Sequence, residues 1–303
     1  MSILLNKNTR VLVQGITGKA GRTQTRYMLD YGTNIVAGVT PGRGGEVVEG
    51  IPVFNTVAEA VEKTKAEATV FFVPPAGIKE AAYQNIDAGI KLLVVVTEHI
   101  PVHDVMEIRE YASEWEVQII GPTSPGVITV GEAKMGIMPG NMFTPGRIGV
   151  ISRSGTLSYE VSVNLATAGL GQSTVVGIGA DPVVFTSVSE VLRMFEKDPG
   201  TDLVVIVGEV GGIQEEKASE FIDRWMTKPV VAYIAGLHAP EGKKMGHAGA
   251  IIQGDGKGTP ASKVASLKEV GVDVATYPAD VVGLVQKRLA LIDKLPPNGN
   301  SSK

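Results

Sequence analysis

The segment around His247 has the composition of a loop that could work on an anionic ligand. It reads Lys243-Lys244-Met245-Gly246-His247-Ala248-Gly249-Ala250-Ile251-Ile252, so small residues stand on both sides of the imidazole. They leave the ring accessible and let the backbone come close to a ligand, and the two lysines would attract an anion. These features make His247 the candidate functional imidazole, although an ordinary histidine stays open as the alternative, whereas His99, His103 and His238 are expected in surface, capping or loop positions.

Glu209 is the candidate partner of this imidazole. It ends an apolar run, in Gly208-Glu209-Val210-Gly211-Gly212. A carboxylate there can hold an imidazole in one tautomer and raise its basicity, although a glutamate in this place could also simply cap a loop. No histidine pair or acidic cluster of the sequence offers convincing metal-ligand spacing, and Arg153-Ser154-Gly155-Thr156 is not the Gly-x-Ser-x-Gly turn of serine hydrolases. We therefore expect no metal site on this chain and no Ser-His-Asp hydrolase.

Two glycine-rich turns near the N-terminus could bind phosphate. The first, Gln14-Gly15-Ile16-Thr17-Gly18-Lys19-Ala20-Gly21, has the order Gly-x-x-Gly-x-x-Gly, where dinucleotide sites have Gly-x-Gly-x-x-Gly. The second, Gly38-Val39-Thr40-Pro41-Gly42-Arg43-Gly44-Gly45, ends a strand without the acid that binds the ribose of NAD. Together the turns favour a phosphorylated nucleotide portion other than NAD. The first turn could also be a plain strand-to-helix turn.

A third turn that could receive an anion follows the apolar run Ile148–Ser152. It reads Arg153-Ser154-Gly155-Thr156-Leu157-Ser158-Tyr159-Glu160 and opens a predicted helix. Ser154 or Thr156 can cap that helix, and the free amides of its first turn favour negative charge. Capping alone is the simpler interpretation.

These candidate turns stand on an alternation of strands and helices. The predicted strands are Val11–Val13, Asn34–Val39, Thr69–Val73, Leu92–Thr97, Val117–Ile120, Arg147–Ser152, Gln172–Ile178, Leu203–Val207, Val230–Ile234 and Val272–Ala275. Helix-like stretches between them predict parallel sheets covered by helices, hence an α/β fold with two domains. Ligands of such sheets lie at the carboxyl ends of strands.

A stretch rich in proline and glycine, residues 123–146, separates the two alternating regions. We interpret it as a connection with some structure of its own. It divides the chain into a first domain, residues 1–122, and a second, residues 147–295. The polar residues 296–303 are expected to form a disordered tail.

The bulk composition is that of an ordinary globular protein. The 303 residues are 44% hydrophobic and 20% charged, with a net charge of −4, so neither nucleic acid nor an anionic membrane is an expected partner. No apolar run approaches the roughly 18 residues that span a bilayer, and no signal peptide is predicted. The absence of cysteine excludes disulfides and thiolate chemistry. We expect a cytoplasmic location.

In six segments the chain resembles the alpha subunits of the succinyl-CoA synthetase (succinate–CoA ligase) family, over residues 1–290. They are Gln14–Gly18, Gly38–Gly42, Val53–Val57, Gly149–Leu157, Gly208–Gly212 and Gly246–Ile252. The resemblance implies an N-terminal Rossmann-like CoA-binding domain and a C-terminal flavodoxin-like ligase domain. It also implies an ATP-grasp beta subunit, in a heterodimer or heterotetramer, that binds ATP or GTP with Mg²⁺.

The resemblance also implies roles for individual residues. Those expected to line the CoA site are Thr17, Gly18, Lys19, Ala20, Arg43, Val96, Thr97 and Glu98. Tyr159 would contact the acyl substrate, and Ser154 and Gly155 would cradle phosphate. His247, assisted by Glu209, would carry a phosphoryl group between an acyl phosphate and the nucleotide.

Several departures from the family pattern leave the acyl substrate open. The chain has Thr123-Ser124-Pro125 where the family commonly has Asn-Cys-Pro, and Gly179-Ala180-Asp181-Pro182 where Gly-Gly-Asp-Pro is usual. Arg43 replaces a lysine, although its guanidinium also suits phosphate. Succinate is the expected substrate, with malate or citrate as alternatives. A non-catalytic CoA-binding regulator would need neither His247 nor Glu209, and an NAD-dependent oxidoreductase lacks its ribose-binding acid.

Overall fold

The computed structural model describes residues 3–237, 239, 246–251 and 258–292. Within them the chain forms two seven-stranded sheets. His238, Lys243, Lys244 and the predicted tail 296–303 lie outside the described residues.

The first sheet is Rossmann-like. Its strands are β1 Val11–Gln14, β2 Ile35–Val39, β3 Val47–Val48, β4 Ile51–Phe54, β5 Ala68–Phe71, β6 Leu92–Val95 and β7 Gln118–Ile120. Their order is β3-β4-β2-β1-β5-β6-β7, and only the β3–β4 pair is antiparallel. The six parallel strands, counted along the chain, thus have the order 3-2-1-4-5-6 of doubly wound dinucleotide folds.

The second sheet is flavodoxin-like. Its strands are β8 Gly126–Thr129, β9 Ala133–Gly136, β10 Pro145–Ser152, β11 Gln172–Gly177, β12 Leu203–Glu209, β13 Val230–Ala235 and β14 Asp273–Ala275. Their order is β14-β13-β12-β10-β11-β8-β9. The parallel strands β10 to β14 follow the flavodoxin order 2-1-3-4-5. Both predicted domain folds are confirmed.

Nine helices in the described residues accompany the two sheets. They are α1 Lys19–Tyr31, α2 Val57–Thr64, α3 Ile78–Asp87, α4 Val102–Glu114, α5 Gly155–Thr167, α6 Val188–Lys197, α7 Gln214–Trp225, α8 Pro260–Glu269 and α9 Asp280–Ile292. Strands such as β1, β5 and β6 are buried along their whole length, as expected of parallel strands covered on both faces. No described helix is long and apolar enough to cross a membrane.

The segment 123–146, interpreted from the sequence as a connection, contributes a β-hairpin to the second sheet. Its strands β8 and β9 pair with each other, and β8 pairs with β11, all antiparallel. Each strand has only four residues, and every one of them is buried. The segment therefore forms part of the core of the second sheet as well as joining the two regions.

Polar contacts also join the two sheets directly. The Thr33 hydroxyl, after α1, donates to the carbonyl of Lys134 in β9 at 2.8 Å. The Phe185 N–H donates to the Gly121 carbonyl at 2.8 Å. Gly121 directly follows β7 and Phe185 lies in the loop after β11, so this second contact joins segments that follow strands of the two sheets, whereas Thr33 precedes β2.

Candidate active site at His247

His247 and Glu209 are in direct contact. Glu209 is the last residue of β12, and its side chain is only 7% exposed. His247 lies after β13, the neighbouring strand, and its side chain is 38% exposed. The distance from His247 Nδ1 to Glu209 Oε2 is 2.8 Å, a hydrogen bond. A buried carboxylate thus holds one ring nitrogen of a half-exposed imidazole.

Glu209 controls the protonation of this imidazole. The hydrogen bond to Glu209 raises the pKa of His247, and the charges of Glu209 and Glu98 act in the same direction. Burial and the Arg153 guanidinium oppose the shift without cancelling it. Because Glu209 binds Nδ1, the ring nitrogen it leaves for chemistry is Nε2.

Close backbone approaches fix the loop that carries His247. In this His247 loop, residues 246–251, the Gly249 N–H donates to the Ala180 carbonyl at 2.9 Å. Gly211, with φ +87°, lies so close on its other side that a Cβ there would be 2.1 Å from the Gly249 carbonyl oxygen. The turn after β12 and the loop after β11 therefore enclose the His247 loop between them.

Helix α5 begins beside this site, at the end of the adjacent strand β10. Ser154 is its N-cap and accepts the Leu157 N–H at 3.4 Å, which confirms the predicted capping. Strand β10 lies next to β12 with Ser152 opposite Val207, so the N-terminus of α5 and Glu209 both lie at the carboxyl edge of the sheet. The position of this helix N-terminus suits an anion beside His247.

Tyr159 lies one turn into α5 and is half-buried. A Cβ built on Gly155 would lie 3.8 Å from the Tyr159 hydroxyl, so the tyrosine lies close to the start of the helix. Its ring makes an edge contact with Phe143. Burial raises the pKa of Tyr159 to about 12, so its hydroxyl remains a neutral hydrogen-bond donor at physiological pH.

The residues predicted to bind CoA gather at the carboxyl edge of the first sheet. Thr17 to Ala20 lie between β1 and the first turn of α1, Arg43 follows β2, and Val96 to Glu98 follow β6. The Thr17 hydroxyl donates to that of Thr40 at 3.2 Å, which joins the first two turns. Arg43 is exposed and forms an ion pair with Glu46. The topological switch point of the sheet lies between β1 and β5, beside this group.

Glu98 connects this edge with His247. Its charge raises the pKa of His247 and that of Asp181, for which burial is the largest cause of the rise. The Thr123 N–H donates to the Thr97 carbonyl at 3.1 Å, and its hydroxyl donates to Asp181 at 3.0 Å. The first residue of the connection thus contacts both the turn after β6 and the loop after β11. One predicted CoA residue, Glu98, therefore lies close enough to the predicted phosphoryl carrier for its charge to act on the imidazole.

A cleft of about 400 Å³ opens beside the His247 loop. Gly249 and Ile251 form part of its wall. The charged residues of the lining are Arg109, Arg153, Asp181 and Lys217. Arg153 is buried against Glu209 and Glu215, so the cations that face one carboxylate, Asp181, across the cleft are Arg109 and Lys217. This excess of positive charge favours an anion.

The sequence reasoning missed three charged residues behind Glu209. They are Arg153, Glu215 and Lys263, all buried. The spacing of Lys263 along the predicted helix could have revealed it, because Lys263 shares the core-facing side of α8 with Pro260 and Leu267. A lysine at such a position needs a buried acceptor, and Glu215 is that acceptor.

Within the described residues, no group of three His, Asp or Glu side chains is placed to hold a metal ion. The arrangement as a whole can do nucleophilic chemistry through an imidazole whose proton is fixed by a carboxylate. It can also hold a phosphorylated ligand at glycine-rich strand ends.

Comparison with known families agrees with the two-domain architecture. The family model described as a CoA binding domain matches residues 6–99, and the one described as CoA-ligase matches residues 151–272. The fold and site therefore define a CoA-ligase subunit with a CoA-binding domain.

Curated relatives are similar over nearly the whole chain. The succinate–CoA ligase [ADP-forming] subunit alpha of Aquifex aeolicus is 52% identical over 295 residues, 97% of this chain and 96% of that protein. The subunit of the same name from Methanothermobacter thermautotrophicus is 52% identical over 289 residues, 95% of this chain and 98% of that protein. The chain belongs to the succinate–CoA ligase alpha-subunit family.

Solved structures share the fold at lower identity. The ATP citrate lyase of Methanosaeta concilii in complex with (3S)-citryl-CoA superposes with a TM-score of 0.88 at 22% identity, over 99% of this chain. The dinucleotide-forming acetyl-coenzyme A synthetase 1 of Ca. Korarchaeum cryptofilum gives 0.74 at 20% identity, over 96% of this chain. The chain spans 53% and 62% of the lengths of those two chains.

Proposed function

We propose that this chain is the catalytic alpha subunit of a succinate–CoA ligase, in which His247 carries the phosphoryl group. The reaction is succinate + CoA + nucleoside triphosphate = succinyl-CoA + nucleoside diphosphate + phosphate. The observation that carries the proposal is the 2.8 Å contact between His247 Nδ1 and the buried Glu209, in a chain of this family. A CoA-binding regulator would need no such pair.

In the direction that makes the triphosphate, an oxygen of inorganic phosphate attacks the thioester carbonyl. The C–S bond breaks, CoA leaves as its thiol, and succinyl phosphate remains. His247 Nε2 then attacks phosphorus, the P–O bond to the acyl group breaks, and succinate leaves as a carboxylate. Glu209 keeps the ring proton on Nδ1, so that Nε2 has a lone pair and the charge formed on the ring is stabilised. The phosphohistidine finally transfers its phosphoryl group to the nucleoside diphosphate.

The remaining site residues are assigned by their places in the fold. We assign the CoA site to Thr17, Gly18, Lys19, Ala20, Arg43, Val96, Thr97 and Glu98. Their common edge at the switch point of a doubly wound sheet supports this. Ser154 and Gly155 would hold phosphate at the start of α5, where helix amides favour an anion. Tyr159, whose hydroxyl lies close to Gly155, would donate to a carboxylate of succinate.

The nucleotide site belongs, in this proposal, to an ATP-grasp beta subunit. It would bind ATP or GTP with Mg²⁺ and form a heterodimer or heterotetramer with this chain in the cytoplasm. Residues 1–122 would bind CoA, and residues 147–295 would carry the phosphoryl chemistry. The cleft of about 400 Å³ beside the His247 loop gives room for an anionic reactant.

The decisive experiment combines the chain with its ATP-grasp partner and labelled ATP. Acid-labile, base-stable label on this chain, absent from His247→Ala, is the expected result. Release of the label by succinate plus CoA identifies the substrate, whereas release by malate or citrate plus CoA would replace succinate in the proposal. A folded complex that binds nucleotide but takes no label on His247 would refute the phosphohistidine mechanism.

A further inference from the structure

Glu209 is part of a buried group of four charged side chains. The other members are Arg153, Glu215 and Lys263, and we call the four residues the buried charge cluster. Each of their side chains is at most 7% exposed. Two cations balance two carboxylates, as buried charge requires. Stability alone does not call for such a cluster, because apolar replacements of buried ion pairs are often neutral or stabilising.

Glu215 binds the backbone of Glu209 itself. Its Oε1 accepts the Glu209 N–H at 3.2 Å, and its Oε2 forms an ion pair with Lys263 Nζ. Gly208 permits this approach, since a Cβ there would be 2.5 Å from Glu215 Oε1. The glycine that precedes Glu209 thus makes room for a second carboxylate behind the strand.

The two cations hold the rest of the turn after β12. Arg153 Nη1 donates to the carbonyl oxygens of Glu209 at 3.1 Å and of Gly211 at 2.7 Å. Lys263 Nζ donates to the same Gly211 carbonyl at 2.8 Å. Hydrogen bonds from charged groups are the stronger ones, so the backbone on both sides of the Glu209 side chain is firmly fixed.

The charge of Glu215 also determines which carboxylate the Arg153 guanidinium neutralises. Burial opposes ionisation of Glu215, but the Arg153 and Lys263 cations outweigh it and lower the pKa of Glu215. Arg153 lies 3.4 Å from Glu215 Oε1 and 3.7 Å from Glu209 Oε1. Without the Glu215 charge, Lys263 would keep Glu216 at 4.0 Å, and Glu209 would be the carboxylate left for Arg153. Glu209 would then be drawn from the imidazole towards Arg153.

We propose that Glu215, held by Arg153 and Lys263, is a positioning residue that fixes Glu209 and, through it, the imidazole of His247 for phosphoryl transfer. This role rests on the proposed function of His247. Glu215 is fully buried behind the strand, where it contacts the Glu209 N–H and Arg153.

The test compares Glu215→Gln with Glu220→Gln in the full chain bound to its ATP-grasp partner. Glutamine keeps the size of the side chain and one acceptor, which can remain on the Glu209 N–H. It removes the charge and places an NH₂ group where the second oxygen accepted from Lys263. Glu220 is an exposed glutamate of the same helix and serves as the matched control. Transfer of label from ATP to His247 should be about 10- to 100-fold slower in Glu215→Gln, the scale of a small misplacement of a reacting group. It should be normal in Glu220→Gln.

The pH dependence separates positioning from general destabilisation. Loss of contact with Glu209 lowers the pKa of His247, so the pH profile of labelling should move to lower pH in Glu215→Gln. Glu98 and Arg153, the other charges that act on the ring, are unchanged in this variant. NMR titration of isotope-labelled histidine in the full chain should show the same downward shift.

A double variant keeps the test decisive if Glu215→Gln folds poorly. Glu215→Gln with Lys263→Met removes the ion pair as a whole, which is better tolerated than removing half of it. Positioning predicts that slow labelling persists, because Glu209 is then the only carboxylate of the cluster left for Arg153. A merely structural role predicts that labelling recovers together with the melting temperature.

Wild-type labelling rates and an unchanged pKa of His247 in both variants would overturn the proposal. Absence of label on His247 in the wild-type complex would instead overturn the proposed function. The NMR titration needs no phosphoryl transfer, so it would still decide whether Glu215 controls the imidazole.

Discussion

Replacing Glu209 by glutamine tests how the imidazole of His247 is held. The two carboxylate oxygens have different neighbours: Oε2 lies 2.8 Å from His247 Nδ1, and Oε1 lies 3.7 Å from Arg153 Nη2. Both oxygens can accept, so Nδ1 carries the ring proton and Nε2 keeps its lone pair. An amide has one oxygen and one NH₂ group, so only one of the two neighbours, His247 or Arg153, can lie opposite an oxygen.

We expect the amide oxygen to face Arg153 and the NH₂ group to face His247. Nδ1 must then accept a hydrogen bond, which moves the ring proton to Nε2 and blocks the nucleophile. The opposite orientation places NH₂ towards the buried Arg153 guanidinium, where the two positive groups repel. In either orientation the imidazole loses its hydrogen bond to a charged carboxylate, which is worth about 1.5–3 kcal/mol. Because about 1.4 kcal/mol corresponds to a factor of ten, labelling of His247 should slow by about 10- to 100-fold.

The pH profile should change in a defined direction. Glu209 raises the pKa of His247, so the neutral imidazole that phosphorylation needs forms as pH rises above about 6.5, the ordinary value. In Glu209→Gln this rise should occur at lower pH. The raised pKa also contributes stability that is fully present below about pH 6.5 and is lost as pH rises through the folded-state pKa. The difference in melting temperature between wild type and variant should therefore shrink with increasing pH.

Rapid-quench measurement of His247 labelling from ATP, at pH values on both sides of about 6.5, gives both the labelling rate and its pH profile. Glu220→Gln is the control. A labelling rate within twofold of wild type would refute the tautomer argument. A slower rate with an unmoved pH profile would show that Glu209 does not control the protonation of His247.

Three further substitutions probe other parts of the site. Tyr159→Phe removes a neutral donor and should raise the KM for succinate about 3- to 10-fold in steady-state assays, without slowing the labelling of His247 by ATP. Arg43→Ala should raise the Kd for CoA about 10- to 100-fold by calorimetry, as expected for loss of a charged phosphate contact. The melting temperature of this variant should hardly change, because the ion pair of Arg43 with Glu46 is exposed. Gly211 has φ +87° and no room for a Cβ, so Gly211→Ala should lower the free energy of unfolding by about 1–3 kcal/mol in thermal denaturation. Gly283→Ala, where a Cβ meets nothing, is its matched control.

The alternation of strands and helices was sufficient to predict two α/β domains, and the family resemblance implied that they are Rossmann-like and flavodoxin-like. Neither predicted the hairpin β8–β9. The runs Gly126–Thr129 and Ala133–Gly136 are short and lie among prolines and glycines, which indicated a connection. Strand β8 pairs with β11, more than 40 residues later in the chain, and β9 pairs with β8. Local pattern carries little information about such pairing, because it depends on the sheet that the rest of the chain builds.

Residue types predicted the contact between His247 and Glu209, because an accessible histidine and a carboxylate at a strand end suit one another chemically. The buried charge cluster was missed for the opposite reason. Glu215 stands in the first turn of a helix, where a glutamate usually needs no explanation beyond the helix dipole. Only the three-dimensional structure shows that this glutamate reaches back to the N–H of Glu209 and that Lys263 is the cation that compensates it.

The proposed reaction also requires that the strand ends of the two domains lie close together. CoA and the phosphoryl carrier must react with one acyl phosphate, yet they are assigned to different sheets. Glu98, at the end of β6, acts on the pKa of His247 beyond β13, so the two strand edges lie within electrostatic range of each other. The contacts of Thr123 with Asp181 and of Phe185 with Gly121 hold the edges together. Substitutions at these contacts should therefore impair acyl transfer to CoA more than phosphorylation of His247 by ATP, because only acyl transfer needs both edges.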